Sequence, residues 1–189
     1  MTRLAILVFL FARVAAAETY KIDPQHSQIA FSVGHLLGTA RGDFHQFSGT
    51  VNVDREEPER SSVSATIQVA SIDTKIRKRD DHLLSAEFFD ATKFPTISFR
   101  SRNARRTGAN EGDIAGELTM KGVTRPLSLH VKLLTPTPAG ELPRRTRWLV
   151  TCEPIRRADF GLMFSNTAEA VSGIGKQVTP AITIEAVRE

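Results

Sequence analysis

The side chains of this 189-residue chain that could bind a transition metal or act in acid–base catalysis are chiefly its five histidines. They are far apart in the sequence and form no HxH or HExxH pair: His26, His35, His45, His82 and His130. Zinc sites need close pairs of this kind or a cluster of cysteines and histidines, and the chain has a single cysteine, Cys152. The sequence therefore predicts no metal site and no metal cofactor.

Sequence motifs of catalysis are equally lacking. There is no G-x-S-x-G elbow, and Asp159-Phe160-Gly161 stands without the glycine-rich loop and the other elements of a kinase. Gly173-Ile174-Gly175 is not a dinucleotide fingerprint, because Val178 occupies the position of the third glycine. For Asp23 and His26 we expect a local hydrogen bond in a turn. No catalytic residue is predicted.

Lysine and arginine form short clusters within residues 75–79, 105–106, 144–147 and 156–157. A nucleic-acid-binding surface would combine such clusters with exposed aromatic residues on one face. A formal net charge of only +4 does not indicate such a surface, so no nucleic-acid partner is expected. Two interpretations stay open: the clusters are solvated loops, or they attract anionic lipid head groups or the phosphate of a ligand.

Residues 1–17 have the pattern of a secretory signal peptide, in which Arg3 precedes an apolar run and three alanines precede Glu18. The apolar run is too short to span a bilayer, which takes about 20 residues. We therefore expect cleavage after residue 17, a mature domain of residues 18–189 and a periplasmic location.

Apolar and polar residues alternate with period two through most of the mature chain, most clearly within residues 29–33, 63–69, 127–133 and 182–186. This pattern is typical of strands with one dry face and one solvated face. No long helices alternate with the strands, which excludes a doubly wound α/β fold. Many short antiparallel strands indicate a closed barrel or a sandwich, and a barrel of eight strands can hold one ligand.

Residues 79–90, RDDHLLSAEFFD, interrupt the strand pattern. We interpret them as a short helix whose start is capped by Asp80 and Asp81 and whose Leu84 and Phe88 share one face. Packed across an open end of a barrel, such a helix would act as a lid. The eleven phenylalanines fit either a filled core or the wall of a tunnel.

Several phrases of the sequence, in this order and spacing, resemble the YceI family of periplasmic polyisoprenoid-binding proteins. They span about residues 18–187 and comprise Asp23-Pro24-Gln25-His26-Ser27, Gly34-His35, Gly42-Asp43-Phe44, Ile72-Asp73-Thr74, Arg79-Asp80-Asp81-His82-Leu83, Phe88-Phe89-Asp90, Phe94-Pro95, the run Gly116 to Pro126 and Arg157-Ala158-Asp159-Phe160-Gly161.

The resemblance implies an all-β fold: an eight-stranded antiparallel lipocalin-like β-barrel with a short capping helix, after an N-terminal signal peptide. It implies a binding or carrier protein, not an enzyme, with an amphiphile such as an isoprenoid quinone, a polyprenyl phosphate or a fatty amide in the barrel. Two positions depart from the family pattern: Leu84 stands where an arginine is usual, and Glu87 where aspartate is frequent. Without that arginine, the resemblance alone does not establish that a charged head group is recognised at the lid.

In this carrier hypothesis the inward-facing residues line the barrel: Phe31, Val33, Phe44, Phe47, Val51, Ile67, Ile97, Phe99, Leu118, Leu129, Val131, Trp148 and Phe160. The lid consists of Leu83, Leu84, Phe88 and Phe89, and the candidates for contact with a head group are His35 and His82. Transient contact with a membrane surface and a homodimer are both compatible with the sequence.

Two alternatives are kept. An enzyme acting on an amphiphile would need two or more of His26, His35, His82, Asp80 and Asp81 to converge inside the barrel. A stress or adhesion factor that acts through its surface would instead have a barrel filled with side chains and an exposed apolar patch.

Overall fold

The structure is a computed structural model that describes residues 17–36, 38–135, 142–163 and 173–189. The predicted signal peptide lies outside these residues, apart from Ala17, and stays a prediction. Among the described residues, no helix has the length and apolar character needed to cross a membrane.

Within the described ranges the chain forms one eight-residue helix, α1 (Arg77–Leu84), and twelve strands: β1 (Glu18–Ile22), β2 (Gln28–His35), β3 (Gly38–Phe44), β4 (Phe47–Val53), β5 (Ser62–Gln68), β6 (Ile72–Asp73), β7 (Thr96–Arg106), β8 (Glu111–Met120), β9 (Val123–Leu133), β10 (Arg145–Thr151), β11 (Ile155–Arg156) and β12 (Gln177–Arg188).

Eight of the strands close into an antiparallel barrel in the order β1-β4-β5-β7-β8-β9-β10-β12, and β12 pairs back with β1. The predicted all-β, eight-stranded, lipocalin-like barrel is therefore confirmed. Strand β2 pairs with β12 beside β1, and β3 pairs with β2, so that the β2–β3 hairpin extends the barrel wall at one end. Closure leaves the eight barrel strands without a free edge, which removes the sites where other chains could add a strand.

Strands β1 and β2 are two parts of one bent strand, and the bend is held by polar side chains. Asp23 accepts a hydrogen bond from the backbone N–H of Gln25, and its other oxygen lies 2.8 Å from Nδ1 of His26. This confirms the predicted local bond. Arg145 of β10 ion-pairs with both Asp23 and Glu185. His26 and then Arg145 hold the pKa of Asp23 below its ordinary value.

The carboxylates of Asp23 and Glu185 and the ring of His26 lie close enough together, within 4.8 Å, to be compared with a cation site. The guanidinium of Arg145 already lies between the two carboxylates. The cluster is therefore an ion-pair network that fixes the bend of the first strand against β10 and β12.

Glycines allow the strands to approach the aromatic rings. Gly42 on β3 stands opposite Phe31 on β2, and a Cβ at Gly42 would come within 2.5 Å of the Phe31 ring. This position therefore makes room for a ring, and the register of β3 continues through it without a bulge. The register shift lies elsewhere, between Ser101 and Asn103 on β7.

The barrel end away from α1 is packed around Tyr20. Its side chain is only 1% exposed and lies in a cluster with Leu142, Val150 and Ala186. The phenol Oη donates to a carboxylate oxygen of Glu18 at 2.7 Å, and Arg188 donates to the same Oη. Burial, followed by the hydrogen bond to Glu18, raises the pKa of Tyr20 to about 12.

We expect an alkaline titration to detect this packing. Tyr20 is the only tyrosine, so tyrosinate absorbance reports on it alone. The midpoint should lie near 12 in the folded protein, against a pKa of 10.0 for an ordinary tyrosine. Because the folded pKa is above the unfolded pKa, the stability that Tyr20 contributes is present below the unfolded value and is lost as the pH rises towards 12. A Tyr20→Phe variant supplies the baseline, and a midpoint near 10 in protein that is still folded would contradict the expectation.

Candidate functional site

The barrel encloses a cavity of about 880 Å³. Its wall carries residues from the barrel strands, from the β2–β3 hairpin and from the segment that begins with α1. The volume lies near the upper end of the range of about 300–1,000 Å³ typical of small-molecule sites. A barrel filled by its own side chains, as the surface-factor alternative required, is therefore not what the structure has.

Every residue predicted to line the barrel lies on the wall of this cavity: Phe31, Val33, Phe44, Phe47, Val51, Ile67, Ile97, Phe99, Leu118, Leu129, Val131, Trp148 and Phe160. Cys152 lies on the same wall, as expected for a residue an even number of positions after Trp148 in an extended chain. The indole N–H of Trp148 donates to the hydroxyl of Thr146 at 3.0 Å, so the ring is held while its apolar surface faces the cavity.

One end of the cavity is covered by α1 and the turns that follow it. Leu83, Phe88 and Phe89 lie on the cavity wall. Leu84, also predicted for the lid, is instead packed against the surrounding core and is not a wall residue. The buried rings that follow the helix, rather than the helix itself, close the barrel, since no residue of α1 is buried.

The lid is joined to the barrel by a chain of aromatic rings. The centroids of Phe31 and Phe44 are 5.6 Å apart, those of Phe44 and Phe89 are 6.5 Å apart, and those of Phe88 and Phe89 are 5.4 Å apart. These separations are typical of tilted and edge-to-face pairs that stabilise one another. The lid position is thus coupled to strands β2 and β3.

The start of α1 lies two residues earlier than predicted, at Arg77. Asp80 therefore lies inside α1 and is not its N-terminal cap. Its carboxylate accepts hydrogen bonds from the backbone N–H and the hydroxyl of Thr74. Arg79 donates to the hydroxyl and to the carbonyl of the same residue at 2.7 Å. Thr74 is therefore the point at which the lid helix is fastened to the end of β6.

Basic side chains surround the lid end of the cavity. The two predicted head-group candidates, His35 on the β2–β3 hairpin and His82 on α1, both lie on the wall. Arg41, Lys78 and Arg79 join them there. The basic cluster at 75–79 is evident in the sequence, but its position at the cavity was not predicted. Arg41, which stands alone in β3, was not predicted either.

The opposite end of the cavity has mixed charge. Asp54, Glu111 and Asp113 lie on the wall there together with Arg55 and Arg105. Among the described wall residues, all the carboxylates belong to this end. Three arginines in all, with Arg106 as the third, balance the three carboxylates at this end, so the net positive charge of the cavity wall lies at the lid end.

The enzyme alternative needs two or more of five residues inside the barrel, and two of the five lie on the cavity wall while three do not. His35 and His82 reach the cavity, whereas His26 belongs to the ion-pair cluster with Asp23 outside it. Asp80 is bonded to Thr74, and Asp81 is not among the described wall residues.

A closed antiparallel barrel with a hollow apolar interior and one lidded end defines a lipocalin-like class of binding protein. Residues 20–186 match the family model of the YceI-like domain, and the chain belongs to the YceI family. The protein YceI of Salmonella arizonae is 42% identical to it over 134 residues, which is 69% of each chain.

Solved structures share the fold at lower identity. BcnA of Burkholderia cenocepacia aligns with a TM-score of 0.77 and 22% identity over 88% of this chain and 99% of that chain. A polyisoprenoid-binding domain from Saccharophagus degradans, implicated in plant cell wall breakdown, aligns with a TM-score of 0.66 and 16% identity over 90% of this chain and 98% of that chain.

The position of Cys152 makes it a probe of the cavity. Burial, and to a smaller extent Glu153, raises the pKa of its thiol. Because the thiolate is the reactive form, we expect an apolar maleimide to label Cys152 more slowly at neutral pH than it labels a free cysteine. Filling the cavity with an apolar molecule should slow labelling several-fold further, measured by intact-mass spectrometry. A Cys152→Ser variant is the blank, and equal rates for empty and filled protein would contradict the assignment of this wall.

Proposed function

We propose that the protein is a periplasmic carrier for an amphiphilic isoprenoid lipid, such as an isoprenoid quinone, a polyprenyl phosphate or a fatty amide, held in the barrel interior. The observation that carries this proposal is the apolar cavity of about 880 Å³ inside the closed barrel. The polyisoprenoid-binding domain with the same fold supports it. The barrel-lining residues, together with the lid residues Leu83, Phe88 and Phe89, are proposed to hold the hydrocarbon tail, and Leu84 to support the lid from behind.

The energetics of such a ligand favour a carrier over a store. Removal of a prenyl tail from water is worth about 0.8 kcal/mol for each buried CH₂. A periplasmic carrier, however, takes its ligand from a bilayer, which is itself apolar. The exchange replaces one apolar environment by another, so its net free energy is small and loading is reversible.

The head group is proposed to lie at the lid end. Arg41, Lys78 and Arg79 offer positive charge there, and His35 and His82 offer hydrogen-bonding nitrogens. The opposite end has as many carboxylates as arginines on the wall and so offers no net attraction to an anionic head group. The usual family arginine is replaced by Leu84, but these other cations supply charge at the same end of the cavity.

The periplasmic location is proposed from residues 1–17, whose pattern is that of a cleaved signal peptide.

The purified protein provides the direct test of its cargo. We expect organic extraction of gently purified protein, followed by mass spectrometry, to release an isoprenoid lipid in an amount close to one per barrel. Recovery of no lipid from protein purified without detergent would contradict the proposal.

Trp148 allows binding to be followed in solution. It is the only tryptophan of the chain and lies on the cavity wall. A quinone absorbs the energy of an excited indole at short range, so we expect a short-chain isoprenoid quinone to quench Trp148 emission in a saturable way. The quinone ring without its tail should quench only by collision, with no saturation. A Trp148→Phe variant gives the background, and the absence of saturable quenching would count against a ligand in the barrel.

Replacing the cations at the lid should separate charged from neutral ligands. We expect Arg41→Gln combined with Lys78→Gln to weaken the binding of a prenyl phosphate by up to about 30-fold, because two exposed ion pairs contribute up to about 1 kcal/mol each. Binding of the corresponding prenyl alcohol should be unchanged, measured by competition against the quenching quinone.

The matched control changes two cations at the opposite end, Arg55→Gln with Arg106→Gln, which also lie on the cavity wall. This double variant should bind both ligands like the wild type. If it weakened the binding of the phosphate as much as the lid variant, the head group would not be oriented towards the lid.

A further inference from the structure

Large apolar side chains are exposed to solvent at the lid end of the barrel. Leu36, at the tip of the β2–β3 hairpin, is 84% exposed, the highest value among the large hydrophobic residues described. Ile76, immediately before α1, is 52% exposed, and Met163 is 38% exposed. A large apolar side chain this exposed at a hairpin tip leaves its hydrocarbon surface in water, so its burial against a partner releases free energy.

These three side chains are adjacent to the opening of the cavity. Leu36 follows His35, which lies on the cavity wall, and its own N–H is bonded to the carbonyl of Gly173. Ile76 is itself a wall residue, and Met163 follows the wall residue Leu162. The apolar surface therefore surrounds the end of the cavity at which we place the head group.

Positive charge accompanies the apolar side chains. Arg41 of β3 and Arg77 and Lys78 of α1 are exposed, and no hydrogen bond or ion pair occupies them within the described residues. Of the nearby carboxylates, Asp73 is paired with Lys75, Asp80 accepts hydrogen bonds from Thr74, and Asp81 of α1 is exposed.

We infer that this lid-end surface, formed by Leu36, Ile76, Met163, Arg41, Arg77 and Lys78, docks the opening of the barrel onto an anionic bilayer. The inference rests on the proposed function, since a lipid carrier must exchange its ligand with a membrane. Cations near an anionic leaflet are attracted to it, and apolar side chains at the same face are removed from water when they enter the interface. Docking brings the cavity to the bilayer, so the tail need not cross water.

A second copy of the chain or a membrane protein could in principle cover the same surface. The bilayer is favoured because the apolar residues are few and dispersed around an opening, rather than forming one flat patch, and because cations lie among them. A lipid surface needs no complementary shape, whereas a stable protein interface needs a continuous, well-packed area.

The test uses protein-free vesicles, some of neutral phosphatidylcholine and some containing anionic phosphatidylglycerol. We expect the full mature chain to co-sediment with the anionic vesicles and to be released by high salt. Leu36→Ser and Arg77→Gln should each weaken this binding several-fold. The matched control is Leu149→Ser on β10, a leucine that is 39% exposed and lies away from the lid, and it should bind like the wild type.

Four results would overturn the inference: no binding to anionic vesicles, equal binding to neutral vesicles, an equal effect of Leu149→Ser, or dimerisation that disappears in Leu36→Ser while vesicle binding persists.

Saturable Trp148 quenching without vesicles tests the proposed function separately, and Leu36→Ser should leave it unchanged because Leu36 is not a wall residue. Vesicle binding without quenching would retain the docking surface and reject the carrier. Quenching without vesicle binding would retain the carrier and reject the docking surface.

Discussion

The structure depends on the closure of β1 against β12. That pairing joins the two ends of the sheet and removes the free edges from the eight barrel strands. In the closed barrel, alternate residues of each strand face one common interior, and the residues between them face the outside. Tyr20, buried beside the closing pair, and the Asp23–Arg145–Glu185 cluster hold the first strand in place from inside and outside.

Closure alone does not make a cavity, because a barrel of eight strands can equally be filled by side chains. Here the large rings are concentrated near the lid, where Phe31, Phe44, Phe88 and Phe89 contact one another. Small residues occur elsewhere on the inner wall, among them Ala65 and Ala104. Gly42 also allows Phe31 to lie flat against β3. The distribution of residue size along the barrel therefore leaves the middle open while one end is sealed.

Much of this could be predicted from the sequence because strand alternation is a local signal. Once one residue of a strand is assigned inward, its parity assigns the others, and the predicted lining from Phe31 to Phe160 lies on the wall for that reason. The lid was less predictable. Leu84 shares a helical face with Phe88 in a continuous helix, but α1 ends at Leu84, and the following turns orient Phe88 independently. Arg41 could not be found because nothing in an isolated arginine of an edge strand indicates which end of a cavity it will reach.

The charge at the lid has a consequence for how a ligand would enter. The tail gains little on leaving a bilayer for an apolar barrel, so the difference between a loaded and an empty carrier is determined largely by the head group and by the surface that meets the membrane. Both features belong to the β2–β3 hairpin and to residues 75–84, not to the eight strands of the closed barrel. Substitutions in these segments, such as the leucine at position 84, can therefore change which lipid is accepted while the barrel and its hydrocarbon-binding interior stay the same. In the proposed carrier, specificity and fold are therefore assigned to separate parts of the chain, as is typical when function resides in loops on a rigid scaffold.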